Sequence, residues 1–200
     1  MKKSRFEQLK DKVEATEGTV VANHMEKEFQ VLCQQNQDVP ESFVSHLHNN
    51  IFPVVSACRA IESSGKSREE AVRIARSHFL DLMQEPAKMI QKMMKIPGLY
   101  HCMPWLWKTL MPKLFSEDSG FKFKFYEVGK ERIKFDMLQC PYYQMCKRLD
   151  CLDLAEIFCT TDDVCYGDMH PKLIWNRTKT IARGADLCDF DLYVEQKKRK

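Results

Sequence analysis

The stretch FKFKFYEVGKERIKFDML, residues 121–138, decides the fold. Phe121, Phe123 and Phe125 alternate with Lys122 and Lys124, and Ile133, Phe135 and Met137 alternate with Lys134 and Asp136. A period of two sets each group on one face of a strand. Glu127 to Lys130, around Gly129, supply the turn, so the segment reads as an antiparallel hairpin with one wet face.

Beyond the hairpin, Pro141 sits where a helix can start, and Tyr142 to Leu149 and Leu152 to Phe158 read as two helical pieces before a loop from Asp162 to Pro171. Leu173 to Thr180 and Cys188 to Val194 read as two more strands, joined across Ala182 to Ala185. On the N-terminal side the periodicity is helical. Val72, Ala75, Phe79, Leu82 and Met83 recur at spacings of three and four between Arg68 and about Gln84, opposite Glu69, Arg73 and Arg76. Weaker patterns cover Arg5 to Gln35, broken near Gly18, and Ser42 to Ile61, bounded by Pro40 and by Ser63-Ser64-Gly65. A short helix from Trp105 to Phe115 follows Pro97-Gly98.

The expected fold is α+β: N-terminal helices packed with a C-terminal antiparallel four-stranded sheet, ordered strand-strand-helix-helix-strand-strand. The expected division is a helical subdomain at 1–117, an α+β subdomain at 118–196 and a basic tail at 197–200.

Two hundred residues with 44% hydrophobic content suffice for one core or two small ones, and a formal net charge of +3 is too small to suggest a nucleic-acid partner. The N-terminus has no apolar signal region. The most apolar stretch, Ile96 to Phe115, is interrupted by His101, Lys108, Lys113 and three prolines. The expectation is therefore a cytoplasmic protein with a small-molecule substrate, no nucleic acid, no membrane and an oligomeric state the sequence leaves unknown. Met89, Met93, Met94, Met103, Trp105 and Trp107 enrich the helical half and read as core or as the wall of an apolar pocket.

Nine cysteines without a secretory signal are better read as thiols, metal ligands or core residues than as disulfides. Six of them, Cys140, Cys146, Cys151, Cys159, Cys165 and Cys188, crowd the C-terminal part with Asp162, Asp163, His170 and Asp189. No pair has Cys-x-x-Cys spacing, so zinc-ribbon and thioredoxin patterns are absent.

Three pieces in order carry a resemblance: Cys140-Pro141-Tyr142, Cys159-Thr160-Thr161-Asp162, and the run RTKTIARGADLCDF from Arg177 to Phe190. Together they resemble the L-2-amino-thiazoline-4-carboxylic acid hydrolase family. The helical first half offers no matching motif. After Phe190, where a basic or aromatic residue is expected, this chain has Asp191, a departure that bears on the substrate more than on the fold.

The resemblance implies a hydrolase that opens a cyclic isothiourea, 2-amino-thiazoline-4-carboxylate, to N-carbamoyl-cysteine. That chemistry needs a nucleophile at C2, a proton donor for the leaving atom and a cation for the carboxylate. Cys140, ahead of Pro141, is the first candidate nucleophile if it sits at a helix N-terminus, or else a cap or core residue. Cys159 and Asp162 share a face if one helical turn holds both; otherwise Asp162 merely caps the next turn. Strand alternation puts Cys188, Phe190 and Leu192 on the face toward the helices and Asp189 on the other, where it pairs with Arg177 or Lys179. Arg177 is either a clamp for the substrate acid or a structural ion pair. Tyr142 and His170 complete the substrate-binding candidates, His170 as a general acid or a bystander. Cys146, Cys151 and Cys165 have no counterpart in the family pattern and read as core or incidental thiols.

No cofactor is assigned. The alternative is a cysteine-rich sensor domain that binds a small molecule or metal without turnover, with Cys140, Cys159 and Cys188 as ligands. Its layout is similar to that of vinyl-reductase-type ligand-binding domains.

Overall fold

Ser4 opens the first helix with a reciprocal cap: its hydroxyl accepts from the Glu7 N–H while the Glu7 carboxylate accepts from the Ser4 N–H. The structure is a computed structural model that describes residues 3–195, so the expected tail at 197–200 lies outside the described residues. Helix α1 (Arg5–Glu17) ends at Gly18, whose φ of 89° suits glycine alone, and α2 (Thr19–Gln35) follows directly. Pro40 precedes α3 (Glu41–His46), and a π-helical turn (Leu47–Ile51) leads into α4 (Phe52–Ser63). Pro53 has no N–H for the Asn49 carbonyl, and the Arg5 guanidinium donates to that carbonyl instead.

Helix α5 spans Arg68–Met94, ten residues past its expected end. Pro86 removes one backbone bond, but Met83, Ala87 and Met94 continue a buried stripe, and that burial carries the helix through. Helix α6 (Leu99–Leu114) begins at left-handed Gly98, six residues before the expected start, and runs through Pro104 and Pro112. Strands β1 (Lys122–Val128) and β2 (Arg132–Gln139) form the expected hairpin. Helices α7 (Pro141–Arg148) and α8 (Ala155–Tyr166) follow, then β3 (Leu173–Asn176) and β4 (Cys188–Val194).

The fold is α+β, with helices N-terminal to an antiparallel sheet ordered β1-β2-β4-β3. Two further elements differ from expectation. The loop placed at Asp162 is in fact the last turn of α8, which reaches Tyr166. The strand placed at Leu173 to Thr180 stops at Asn176, because the Asp189 carboxylate of β4 accepts the N–H groups of Thr178 and Lys179 at 2.8 and 2.5 Å and replaces the ladder there.

The chain groups into two compact units whose bounds differ from the expected break at 117. One comprises the chain up to Leu82 with Met145–Phe158; the other comprises Met83–Gln144 with the chain from Cys159 onward. In the first, Leu9, Met25, Phe52, Phe79 and Leu154 are fully buried. The Met145–Phe158 segment is tied in by Arg68 to Asp153 (2.8 and 2.9 Å) and Arg148 to Asp38 (2.7 and 3.0 Å). In the second, α6 packs on β1, β2 and β4, and Ile133, Phe135, Phe190 and Leu192 form the buried face of the sheet. Phe135 and Phe190 face each other in register and stack with centroids 4.7 Å apart.

Candidate active site

The site lies wholly in the second unit, where the β2-to-α7 junction, the second half of α8, the segment after β3 and the start of β4 meet. Cys140 is the last residue before α7, and the backbone N–H groups of Tyr142 and Tyr143 donate to its sulfur. The N-terminal placement expected for it is therefore present. The stabilised thiolate is not: burial pushes its pKa up to about 12, which outweighs the two donors.

Because α8 continues to Tyr166, Cys159 and Asp162 stand one turn apart on one helix face. Burial raises Cys159 to about 12, against the opposing pull of Arg177. Burial also raises Asp162 to about 7; Arg177 pulls it back down and the Asp163 carboxylate pushes it further up. Cys188, at the head of β4 opposite Met137, accepts a hydrogen bond from the Ile181 N–H at 3.2 Å, and its pKa too is raised by burial. Each of the three thiols feels the charge of Asp162, and Cys159 feels both Cys140 and Cys188, so the groups gather at one place.

Arg177 anchors the cluster. Its side chain is 5% exposed and donates to Asp163 at 2.7 and 2.8 Å, to the Cys159 carbonyl at 2.9 Å and to Asp162 at 3.3 Å. The guanidinium also lies over the Phe190 ring, 5.4 Å from its centroid. One fork thus holds the face of α8 that carries Cys159 and Asp162, and its partners are α8 carboxylates rather than the expected Asp189. For Asp189 itself, burial works against ionisation, but hydrogen bonds from the Thr178 hydroxyl and the Thr178 and Lys179 N–H groups prevail and lower its pKa. Among the described residues, no three His, Cys, Asp or Glu side chains are placed to hold a metal ion, so the reading of Cys140, Cys159 and Cys188 as metal ligands finds no support.

The pattern of the L-2-amino-thiazoline-4-carboxylic acid hydrolase family matches residues 45–192, three quarters of the chain. The chain belongs to that family. Every residue of the cluster falls within the match, and so does most of the helical part, whose sequence offers no matching motif of its own. None of the curated proteins compared matches it. Among solved structures it is similar to the crystal structure of Fe(II) unliganded H-NOX protein from K. algicida, with 10% identity, 98% of this chain and 97% of that chain covered, and a TM-score of 0.34, a likeness too slight to carry an argument.

Set against this family assignment, the expected site residues divide. Cys140, Cys159, Asp162, Cys188 and Arg177 come together. Tyr142 contributes its backbone N–H to Cys140, and its ring lies 6.1 Å from that of Phe121. His170 is engaged elsewhere: its ring stacks on Tyr100 at 4.1 Å and its Nδ1 accepts from the Lys172 N–H. Cys146 and Cys151 are buried in the first unit, where a hydrogen bond from Cys146 lowers the pKa of Cys151. All nine cysteines are free thiols. Asp191, where the chain departs from the family pattern, lies on the sheet face opposite Cys188 and pairs bidentately with Arg132 at 2.7 and 3.0 Å.

Two residues escaped the sequence reading. Asp163 is the main partner of Arg177; the paired Asp162-Asp163 was the available signal, obscured once a loop was placed there. Thr180 is 3% exposed and its hydroxyl makes no hydrogen bond within the protein. A buried hydroxyl left so costs about 1–3 kcal/mol unless a ligand or water completes it. Its place in the closing motif, four residues before Gly184, was the signal.

Proposed function

We propose that this chain hydrolyses a small cyclic amidine or isothiourea carboxylate of the 2-amino-thiazoline-4-carboxylate type, with Asp162 as its general base. The observation that carries the reading is a carboxyl raised to about 7 among three thiols and beside a buried guanidinium. A base titrating near neutrality is matched to proton transfer at working pH. The thiols of Cys140 and Cys159, raised to about 12, are protonated at that pH and suit hydrogen-bond donation; for either to attack, Asp162 must first take its proton.

In this mechanism Asp162 removes a proton from water as its oxygen bonds to C2 of the ring. The C2–S bond then breaks as Asp162 returns its proton to the leaving sulfur, and the hydroxyl proton passes to the ring nitrogen, so that the water oxygen becomes the carbamoyl oxygen. Arg177 acts as a positioning residue that fixes Asp162. Its expected role at the substrate acid requires Asp163 to release it. The Thr180 hydroxyl is free to meet a polar atom of the substrate.

The test uses purified protein and 2-amino-thiazoline-4-carboxylate, with N-carbamoyl-cysteine detected by mass in the ultrafiltrate so that the protein's own nine thiols do not interfere. Product formation should rise with pH through about 7, as the base ionises, and Asp162→Asn should lower the rate by about 10²–10⁴-fold. Absence of product across related cyclic amidine carboxylates would remove the reading.

A further inference from the structure

Between Glu85 and Glu117 the chain contains five lysines, Lys88, Lys92, Lys95, Lys108 and Lys113, and no acidic residue. Setting these five aside leaves 26 of the 31 basic residues against 28 acidic ones, so the formal positive charge of the whole chain resides in this segment. The same segment exposes an unusual amount of apolar surface: Met89 (62%), Met93, Ile96, Trp105 (53%), Leu110 and Leu114.

The arrangement follows from helical spacing. Met83, Ala87 and Met94 form the buried side of α5, whereas Met89 and Met93 line up one turn apart on another side, with Lys88 and Lys92 immediately beside them. Ile96 continues the row past the helix end, and the Pro97-Gly98 turn leads into α6, where Trp105 projects with Lys108 three residues on. Lys130 at the hairpin turn joins Trp105, His101, Cys102 and Glu131 around an open cavity of about 660 Å³. His101 and Glu131 close one wall with a 2.6 Å hydrogen bond.

We infer that the segment from Met83 to Leu114, through the exposed apolar and lysine side chains of α5 and α6, docks on the surface of an anionic phospholipid bilayer. Exposed apolar side chains interspersed with lysines fit a deformable apolar medium under a negatively charged layer, with Trp105 suited to the level of the headgroups. A second copy of the chain is a poor occupant, since a two-fold contact would bring together two copies of a segment that carries five lysines and no acidic residue. The expectation of no membrane partner came from the lack of a spanning segment. Among the described residues no helix is long and apolar enough to cross a membrane, and a surface contact needs none.

The experiment is co-sedimentation of the full chain with phosphatidylcholine vesicles, with and without phosphatidylserine. Binding should require phosphatidylserine and weaken as salt rises. With about fivefold lost per lysine, the Lys92→Gln/Lys95→Gln/Lys108→Gln variant should bind about a hundredfold more weakly. Met89→Ser/Met93→Ser, with charge unchanged, should also weaken binding, and the vesicle-induced blue shift of tryptophan emission should vanish in Trp105→Phe. No binding to phosphatidylserine vesicles at low salt, equal binding to both vesicle types, or a lipid-free dimer abolished by the methionine substitutions would each overturn the inference.

Discussion

At the scale of single residues, the site is governed by burial acting on groups that prefer water. Cys140 receives two N–H donors and still ends at about 12, so helix-terminal placement alone does not make a reactive cysteine. The consequence is measurable. In iodoacetamide labelling at neutral pH followed by peptide mapping, exposed Cys102 should react first, and Cys140 and Cys159 should lag well behind. Equal rates at Cys140 and Cys102 would contradict the protonated-thiol assignment. Arg177→Met should destabilise the protein by about 1–3 kcal/mol in urea, less than the ~3–5 kcal/mol of a fully buried broken pair because the Asp163 side chain is half exposed. Arg177→Lys keeps the charge and loses the fork, so it should fall between the two.

At the scale of elements, legibility tracked how much of each decision was local. The hairpin of β1 and β2, the break at Gly18 and the alternation that buries Cys188 and Phe190 were readable because period and turn chemistry act over a few residues. The extents of α5, α6 and α8 were not. Pro86, Pro104 and the Thr160 to Asp163 run each argue locally for an end, and in each case packing or a distant partner prevails: Met94 for α5, Met103 and Trp107 for α6, and Arg177 for α8. The assembly of Cys140, Cys159, Asp162, Cys188 and Arg177 was legible through the family motif, whereas the pairing of Arg177 with Asp163 was hidden by the misplaced loop. The end of α8 offers a direct test. A Cβ at Gly167 would lie 2.5 Å from the Asp163 carbonyl oxygen, so Gly167→Ala must shift backbone, at about 1–3 kcal/mol by thermal or urea unfolding. Since Asp163 moves with that turn, the rate of any reaction relying on Asp162 should fall as well.

For the whole molecule, the raised carboxyl leaves a signature in stability. The folded state holds the Asp162 proton up to about pH 7, whereas an unfolded aspartate releases it near 3.8. The native state therefore binds more protons in that window, and this group's contribution to stability is fully present below about pH 4 and is lost as pH rises through about 7. Asp38, Asp153 and Asp189, all lowered on folding, act in the opposite sense, with contributions present above their unfolded values and lost on acidification. The difference between the wild-type and Asp162→Asn stability curves isolates the first effect: relative to the variant, the wild type should lose stability between about pH 4 and 7 and run parallel above.

The sheet order also sets a timetable for synthesis. Strand β4 is the last of the four to be made, yet it lies between β2 and β3 and pairs with both. Until residues 188–194 have left the ribosome, the hairpin has an open edge and β3 has nothing to pair with. Folding of this unit must wait for its final strand, and a nascent chain stalled before Cys188 would present the unpaired edge of β2 to chaperones or to other chains.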